Sequence, residues 1–528
     1  MGDIEATPLA PWDCPRCGHH NVERSCGFYR YRYDPGAPPV EALAASPAAP
    51  APDTTMPPAP RSWPLARLAI AGAVVAVLAI GAFVLLGRGG HSYPARWDPR
   101  VADVVNYVAG ARGLTFEHPV PVDFLSVPAY RKIASTSAQG LSPKERQQLQ
   151  HAVETLRALG LVSGKVDLLK QLNTLTGEGT LAFYDDTHKR VRVRGTAVTP
   201  ALRVTLAHEL THVLQDQHFG LSKIRGGDNS GRADAYRALA EGDADRIEQK
   251  YIDTLSAADK ASYDASHATD VNQATSKEAS VPPALVSFFA APYALGDQFV
   301  DSIDQARGGS GVDAAFRNPP HSEKPLLDPF VYPAGDRVVN VSRPKLASGE
   351  KRVDKGDFGA VAWYLVLASR LDPHRALDAV DGWGGDSYIA FSRAGRTCVR
   401  VDTAGADPAG TTLLGSVMSD WAKAMPAGAA RVTVGATVEV ESCDPGASAG
   451  SSGPAGSGDL LLTLPATRSA IAVGAVKQGA TERAAECFSH KVVDLLTIQQ
   501  LDASDAELEA LGLTAKIRDA ALACRGSG

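Results

Sequence analysis

Between Arg67 and Arg88 the chain runs for twenty residues, Leu68 to Gly87 (LAIAGAVVAVLAIGAFVLLG), without a charge. As a helix rising about 1.5 Å per residue, such a run matches the roughly 30 Å hydrocarbon core of a bilayer. It starts well inside the chain and is longer than the apolar part of a cleaved signal peptide. Residues 64–88 are therefore expected to form one transmembrane helix, and everything else must fold on one side of it or the other. Arginines do not set the direction, because Arg61 and Arg67 upstream face Arg88, Arg96 and Arg100 downstream. Cysteines do. Cys14, Cys17 and Cys26 crowd before the span, as suits a reducing cytosol, whereas Cys398, Cys443, Cys487 and Cys524 form an even set after it, as suits two disulfides outside. The expectation is a single-pass cell-membrane protein with a cytoplasmic N-terminus and an extracytoplasmic C-terminal body. A net charge of -6 over 528 residues gives no field that would favour nucleic acid, and no nucleic-acid partner is expected.

Composition divides the chain further. Residues 1–33 carry Trp12-Asp-Cys14-Pro-Arg-Cys17-Gly-His19-His20-Asn21 and then Cys26-Gly27, which resembles the zinc ribbons and knuckles at the ends of many bacterial membrane proteins. A closed structural zinc site needs four ligands. Tyr29 stands where a fourth cysteine would fall, so Cys14, Cys17 and Cys26 would be completed by His20 or by its neighbour His19. Residues 34–63 are rich in proline and alanine and read as a disordered linker; 444–458 (DPGASAGSSGPAGSG) read as a Gly/Ser linker. They frame a principal domain, 91–443, and a small α-helical domain, 459–528, whose expected role is to bind a protein partner. Four cysteines allow three pairings, of which Cys398 with Cys443 and Cys487 with Cys524 is the local one. In the principal domain Ala182 to Asp186 and Val191 to Arg194 read as a β-hairpin between helical stretches, which predicts an α+β fold with a short antiparallel sheet.

The chemistry concentrates in Thr199 to Gly220, where Thr199 suits an N-cap, Pro200 the first helical position and Gly220 the stop. On that helix His208 and His212 are four residues apart, about 400° round the axis, so both imidazoles leave the same face one turn apart. This is the bite a tetrahedral zinc ion requires, and Glu209, the next residue round, reaches the open coordination position as a general base. With 13 His in the chain, the HExxH pattern would arise by chance with a probability of roughly 2%.

Two residues compete to be the third protein ligand. His218 has the spacing of the metzincin pattern HExxHxxGxxH, but Gln215 stands in place of its glycine and no methionine follows nearby. Glu241, in Ala238-Leu-Ala-Glu241-Gly242-Asp243-Ala244-Asp245, sits on a second predicted helix from about Asp234 to Tyr251, with Gly242 permitting close approach. Glu241 is the preferred ligand. Asp245, one turn on, is placed to orient a metal-bound histidine.

The HExxH and downstream ExxxD resemble the gluzincins, the thermolysin-like clan of zinc peptidases. HELTHVLQDQHF, EGDA, Pro292-Tyr293 and Gly382-Trp383-Gly384-Gly385-Asp386 also resemble a largely uncharacterised family of extracytoplasmic bacterial and archaeal proteins assigned to gluzincin-like peptidases, over about residues 95 to 400. A Ser-Thr-Glu-Gln stretch expected from that family is replaced by His321-Ser322-Glu323-Lys324. The resemblance implies a zincin-like fold and a membrane-anchored zinc metallopeptidase, an endopeptidase rather than an exopeptidase, that cleaves a peptide or protein substrate with zinc-activated water. Tyr293 and His321 are the candidates for transition-state stabilisation, and the hairpin for an edge strand that aligns substrate. The alternative is a zinc-binding membrane scaffold or sensor without turnover.

Overall fold

The computed structural model describes residues 12–13, 20–21, 93–135, 141–176, 180–224, 230–449, 458–501 and 503–525. The predicted span 64–88, the linker 34–63, and Cys14, Cys17, Cys26 and His19 lie outside these residues. His20 is described only as backbone, in a two-residue strand β2 (His20–Asn21) that pairs antiparallel with β1 (Trp12–Asp13). Among the described residues no helix is long and apolar enough to cross a membrane.

The fold is α+β. Helix α1 (Ala102–Arg112), strand β3 (Val122–Leu125) and helices α2 (Val127–Ala134), α3 (Pro143–Ala158) and α4 (Leu168–Thr176) precede the hairpin, which is β4 (Ala182–Asp185) and β5 (Arg190–Arg194). Tyr184 stands opposite Val191 in that antiparallel pair, and β3 lies on the other side of β5 in parallel, Phe124 opposite Val193. The sheet is therefore mixed rather than purely antiparallel as expected. Parallel pairing needs a long crossover, here α2 to α4, and four residues of β3 are too few to announce a strand by periodicity.

Four long helices follow: α5 (Pro200–Phe219), α6 (Ser230–Ile252), α7 (Ala257–Glu278) and α8 (Pro283–Arg317), the last broken at Gly308 (φ 64°, ψ -170°). After the short α9 (Lys324–Leu327) and α10 (Val331–Gly335) come β6 (Lys351–Gly356), α11 (Ala360–Ala368), α12 (Pro373–Asp381), β7 (Trp383–Arg393), β8 (Arg396–Gly405), α13 (Pro408–Ala424), β9 (Ala430–Val434) and β10 (Val438–Cys443). Their strands form a second, antiparallel sheet in the order β6-β7-β8-β10-β9, which the sequence reading did not foresee.

Helices α14 (Gly458–Lys477), α15 (Glu482–Asp494), α16 (Asp505–Ala510) and α17 (Leu513–Cys524) end the chain. Read from the sequence as a separate unit, they instead share one apolar core with α8, α11 and α12. Arg468 on α14, 3% exposed, grips Asp381 at the end of α12 through two bonds of 2.6 and 2.7 Å. Both local disulfides are formed. Cys398 and Cys443 are directly opposed on β8 and β10, and Cys487–Cys524 joins α15 to α17.

Two apolar cores meet on α6. Tyr236, Ala238, Leu239 and Ala240 belong to the larger one, whereas Ile247, Tyr251 and Ile252 belong to a smaller one shared with α1, α5 and the β3-β5-β4 sheet. In between, α6 crosses α8 in backbone contact. A Cβ built on Gly296 would lie 2.3 Å from the Ala238 carbonyl oxygen, and one on Gly242 would lie 2.4 Å from the Gly296 carbonyl oxygen. The close approach foreseen for Gly242 is thus to α8, not to the motif helix. Gly296→Ala must force the helices apart, with a loss of about 1–3 kcal/mol as for other overpacked cores. Denaturant midpoints of the variant and the parent protein test this; equal midpoints would show that the crossing is loose.

Candidate metal centre

Helix α5 starts and stops where its sequence says. Thr199 Oγ1 accepts from Leu202 N at 3.2 Å, and Gly220 at φ 75° returns its N–H to Asp216 O. Fourteen of its residues are buried, so it is a core helix rather than a surface one, and most of its polar face is out of water. That face carries His208, Glu209 and His212.

The three preferred ligands converge. His208 Nε2 and His212 Nε2 are 3.0 Å apart, and each is 3.3 Å from Glu241 Oε2 on α6. Ligand atoms about 2.0–2.1 Å from a tetrahedral zinc stand about 3.3–3.4 Å from one another, so the triangle already has nearly the size of one face of that polyhedron. Glu241 Oε2 is buried with no hydrogen-bond donor. Acceptors face the outer nitrogen of both imidazoles: Gln215 Oε1, 2.8 Å from His212 Nδ1, fixes a proton there, while His208 Nδ1 lies 3.0 Å from Asp245 Oδ1 and 3.3 Å from Glu248 Oε2, neither quite in line for a hydrogen bond. With Nδ1 protonated, two Nε2 lone pairs and a carboxylate oxygen face one another, an arrangement that only a cation or protons make favourable. The donor set fits a divalent metal ion. Solvent reaches it from the His212 side, where the side chain is 12% exposed against 3% for His208 and 6% for Glu241.

Charge in the cluster follows. Burial opposes a proton on His208 and on His212, yet the surrounding carboxylates outweigh it and hold both pKa values above the ordinary one. Burial likewise opposes ionisation of Glu241, but the two histidines outweigh it and keep its pKa well below the usual range. Glu209 differs. Burial lifts its pKa, with partial relief from His208, His212 and the Tyr184 N–H, which donates to Oε2 at 2.8 Å.

His218 stands apart from this group, exposed at the helix end with Nε2 against Thr115 O at 2.8 Å. Tyr293, on α8 one turn before Gly296, is 5% exposed, its hydroxyl has no hydrogen-bond partner among the described residues, and the charges of Glu241 and Asp245 act on it. His321 is not joined to the site. It is exposed, and its backbone N–H donates to Asp336 Oδ2 at 2.7 Å. Glu248 was missed by the sequence reading, although Glu241, Asp245 and Glu248 at i, i+4 and i+7 form one helical stripe.

Other noticed segments build a different feature. Glu323 Oε2 accepts from Val361 N at 3.0 Å at the start of α11, and Asp386 accepts from Phe358 N, Gly359 N and Trp383 Nε1 at 2.6, 3.0 and 2.9 Å. The stretches 321–324 and 382–386 thus hold buried carboxylates at a helix N-terminus, a structural use. No family model matches the chain, and no curated protein and no solved structure matches it.

Two tests follow from this geometry. Glu241→Ala is expected to abolish metal binding by equilibrium dialysis while His218→Ala keeps it; the opposite pattern would make His218 the ligand. Burial, then Asp234, raises the pKa of Glu323 well above 4.5. A folded value above the unfolded one means stability is full below 4.5 and falls as pH rises towards the folded value. Glu323→Gln cannot ionise, so its denaturation midpoint should improve relative to wild type between pH 5 and pH 8, and a constant difference would contradict this.

Proposed function

We propose that this chain is a membrane-anchored zinc metallopeptidase, and the observation that carries the reading is the convergence of His208, His212 and Glu241 with Glu209 on the same buried face. Two nitrogens and one carboxylate oxygen suit zinc. Zinc held there would supply Lewis-acid polarisation of a carbonyl and of water. Glu209 is the general base. Its buried carboxylate is more basic than a solvated one, its Oε2 is held by the Tyr184 N–H, and it takes the proton of the attacking water and delivers it to the leaving amine.

Substrate alignment falls to β4, an edge strand of its sheet. Leu181 O accepts from Arg194 N, so odd-numbered positions face β5 while Ala182 and Tyr184 turn their N–H and C=O groups to the free edge. An extended peptide lies along such an edge by backbone hydrogen bonds, which favours an endopeptidase. Tyr293 is the donor for the oxyanion: burial and the carboxylates keep its hydroxyl protonated, and that proton has no acceptor among the described residues. The two disulfides support an extracytoplasmic body, and residues 64–88 supply the anchor with the N-terminus in the cytoplasm.

Glu209→Gln should keep the metal, measured as zinc per chain, and lose about 10²–10⁴-fold in cleavage of a broad peptide mixture. Wild-type protein replete with zinc that cleaves no peptide would favour a zinc-binding scaffold instead.

A further inference from the structure

Gln215, which breaks the metzincin spacing, lies beside the metal centre. Its Oε1 is 2.8 Å from His212 Nδ1, and its Nε2 donates to Ala240 O at 2.9 Å and to Asp243 Oδ2 at 3.0 Å. These partners admit one orientation of the amide. Reversed, its oxygen would face two acceptors in a site where Gln215 and Asp243 are both 0% exposed. An amide oxygen only accepts, so His212 is held with its proton on Nδ1 and its lone pair on Nε2, the nitrogen aimed at Glu241.

Asp243 is itself fixed. Arg112 Nε donates to Oδ2 at 2.8 Å and Arg246 Nη2 to Oδ1 at 2.8 Å, while the same arginines reach Asp313 and Asp304 on α8 at 2.6 and 2.9 Å. The chain of contacts runs from α8 and α1 through α6 to the histidine.

We propose that Gln215 is a positioning residue for His212, and that Asp243, clamped by Arg112 and Arg246, anchors the Gln215 amide. The proposal rests on the metal-centre reading above. Its consequence is that metal affinity is set partly by Arg112 on α1, which acts on His212 through Asp243 and Gln215.

The test uses the full-length chain and zinc alone. Gln215→Leu keeps the volume and removes both ends of the amide. Chelator competition, well below the unfolding midpoint of either protein, should show zinc affinity reduced about 10–100-fold, as for other outer partners of metal-bound histidines. A purely structural residue would lower the unfolding midpoint and leave that affinity unchanged. Proton NMR of the zinc-loaded wild type gives a second readout that needs no variant: the His212 Nδ1–H should be protected from exchange with water. Equal zinc affinities, or a rapidly exchanging Nδ1–H, would overturn the proposal alone. A wild-type chain that binds no zinc would overturn the metal centre and the proposal with it.

Discussion

The contact of α6 with α8 at Gly242 and Gly296 is the constraint on which the rest of the arrangement turns. Backbone meets backbone there, and no side chain can adjust the separation. Glu241 precedes one of these glycines and Tyr293 lies one turn before the other, so the crossing sets where the Glu241 carboxylate and the Tyr293 hydroxyl stand relative to each other. It also joins the two apolar cores, because α6 contributes its first half to one and its second half to the other. The C-terminal α14 also packs on α8, which ties the last seventy or so residues to the helix that carries Tyr293.

At that seam the fold buries charge that a continuous apolar core would reject. Glu209, Glu241, Asp245 and Glu248 surround two imidazoles, an excess of negative charge that raises the proton affinity of both histidines and that a divalent cation would offset. Behind it, Asp243, Asp313 and Asp304 are matched by Arg112 and Arg246. Removing one member of such a set leaves an uncompensated charge out of water, which costs far more than an exposed pair ever contributes. Chemistry and architecture are therefore hard to separate in this region.

The sequence was most legible where one helix decides the geometry. Thr199, Pro200 and Gly220 bound α5 as read, and the four-residue spacing of His208 and His212 brought their Nε2 atoms together. Choosing Glu241 over His218 also needed only local logic, since Gln215 could not turn the chain as a glycine does. Long-range relations were less legible. Nothing local marks Gly242 as a partner of Gly296, pairs Arg112 with Asp243 across 131 residues, or shows that β3 joins β5 in parallel. Gly/Ser-rich residues near 450 suggested independence of the tail, whereas the apolar face of α14 is buried against α8. His321 looked chemical because it stood in a familiar neighbourhood, yet the residue that matters there is Glu323, buried beneath a helix N-terminus.

Strand β4 carries one more implication. A bare strand edge is open to any extended chain, including another copy of the same protein, and proteins generally blunt such edges. Here β4 is only four residues long, ends on Asp185 with Asp186 next, and has its outward Tyr184 N–H engaged by Glu209. A strand that docks on this edge must compete with a carboxylate for that donor. The guard against indiscriminate self-association and the proton acceptor of the proposed reaction are then one side chain, so selection could not relax the first without altering the second.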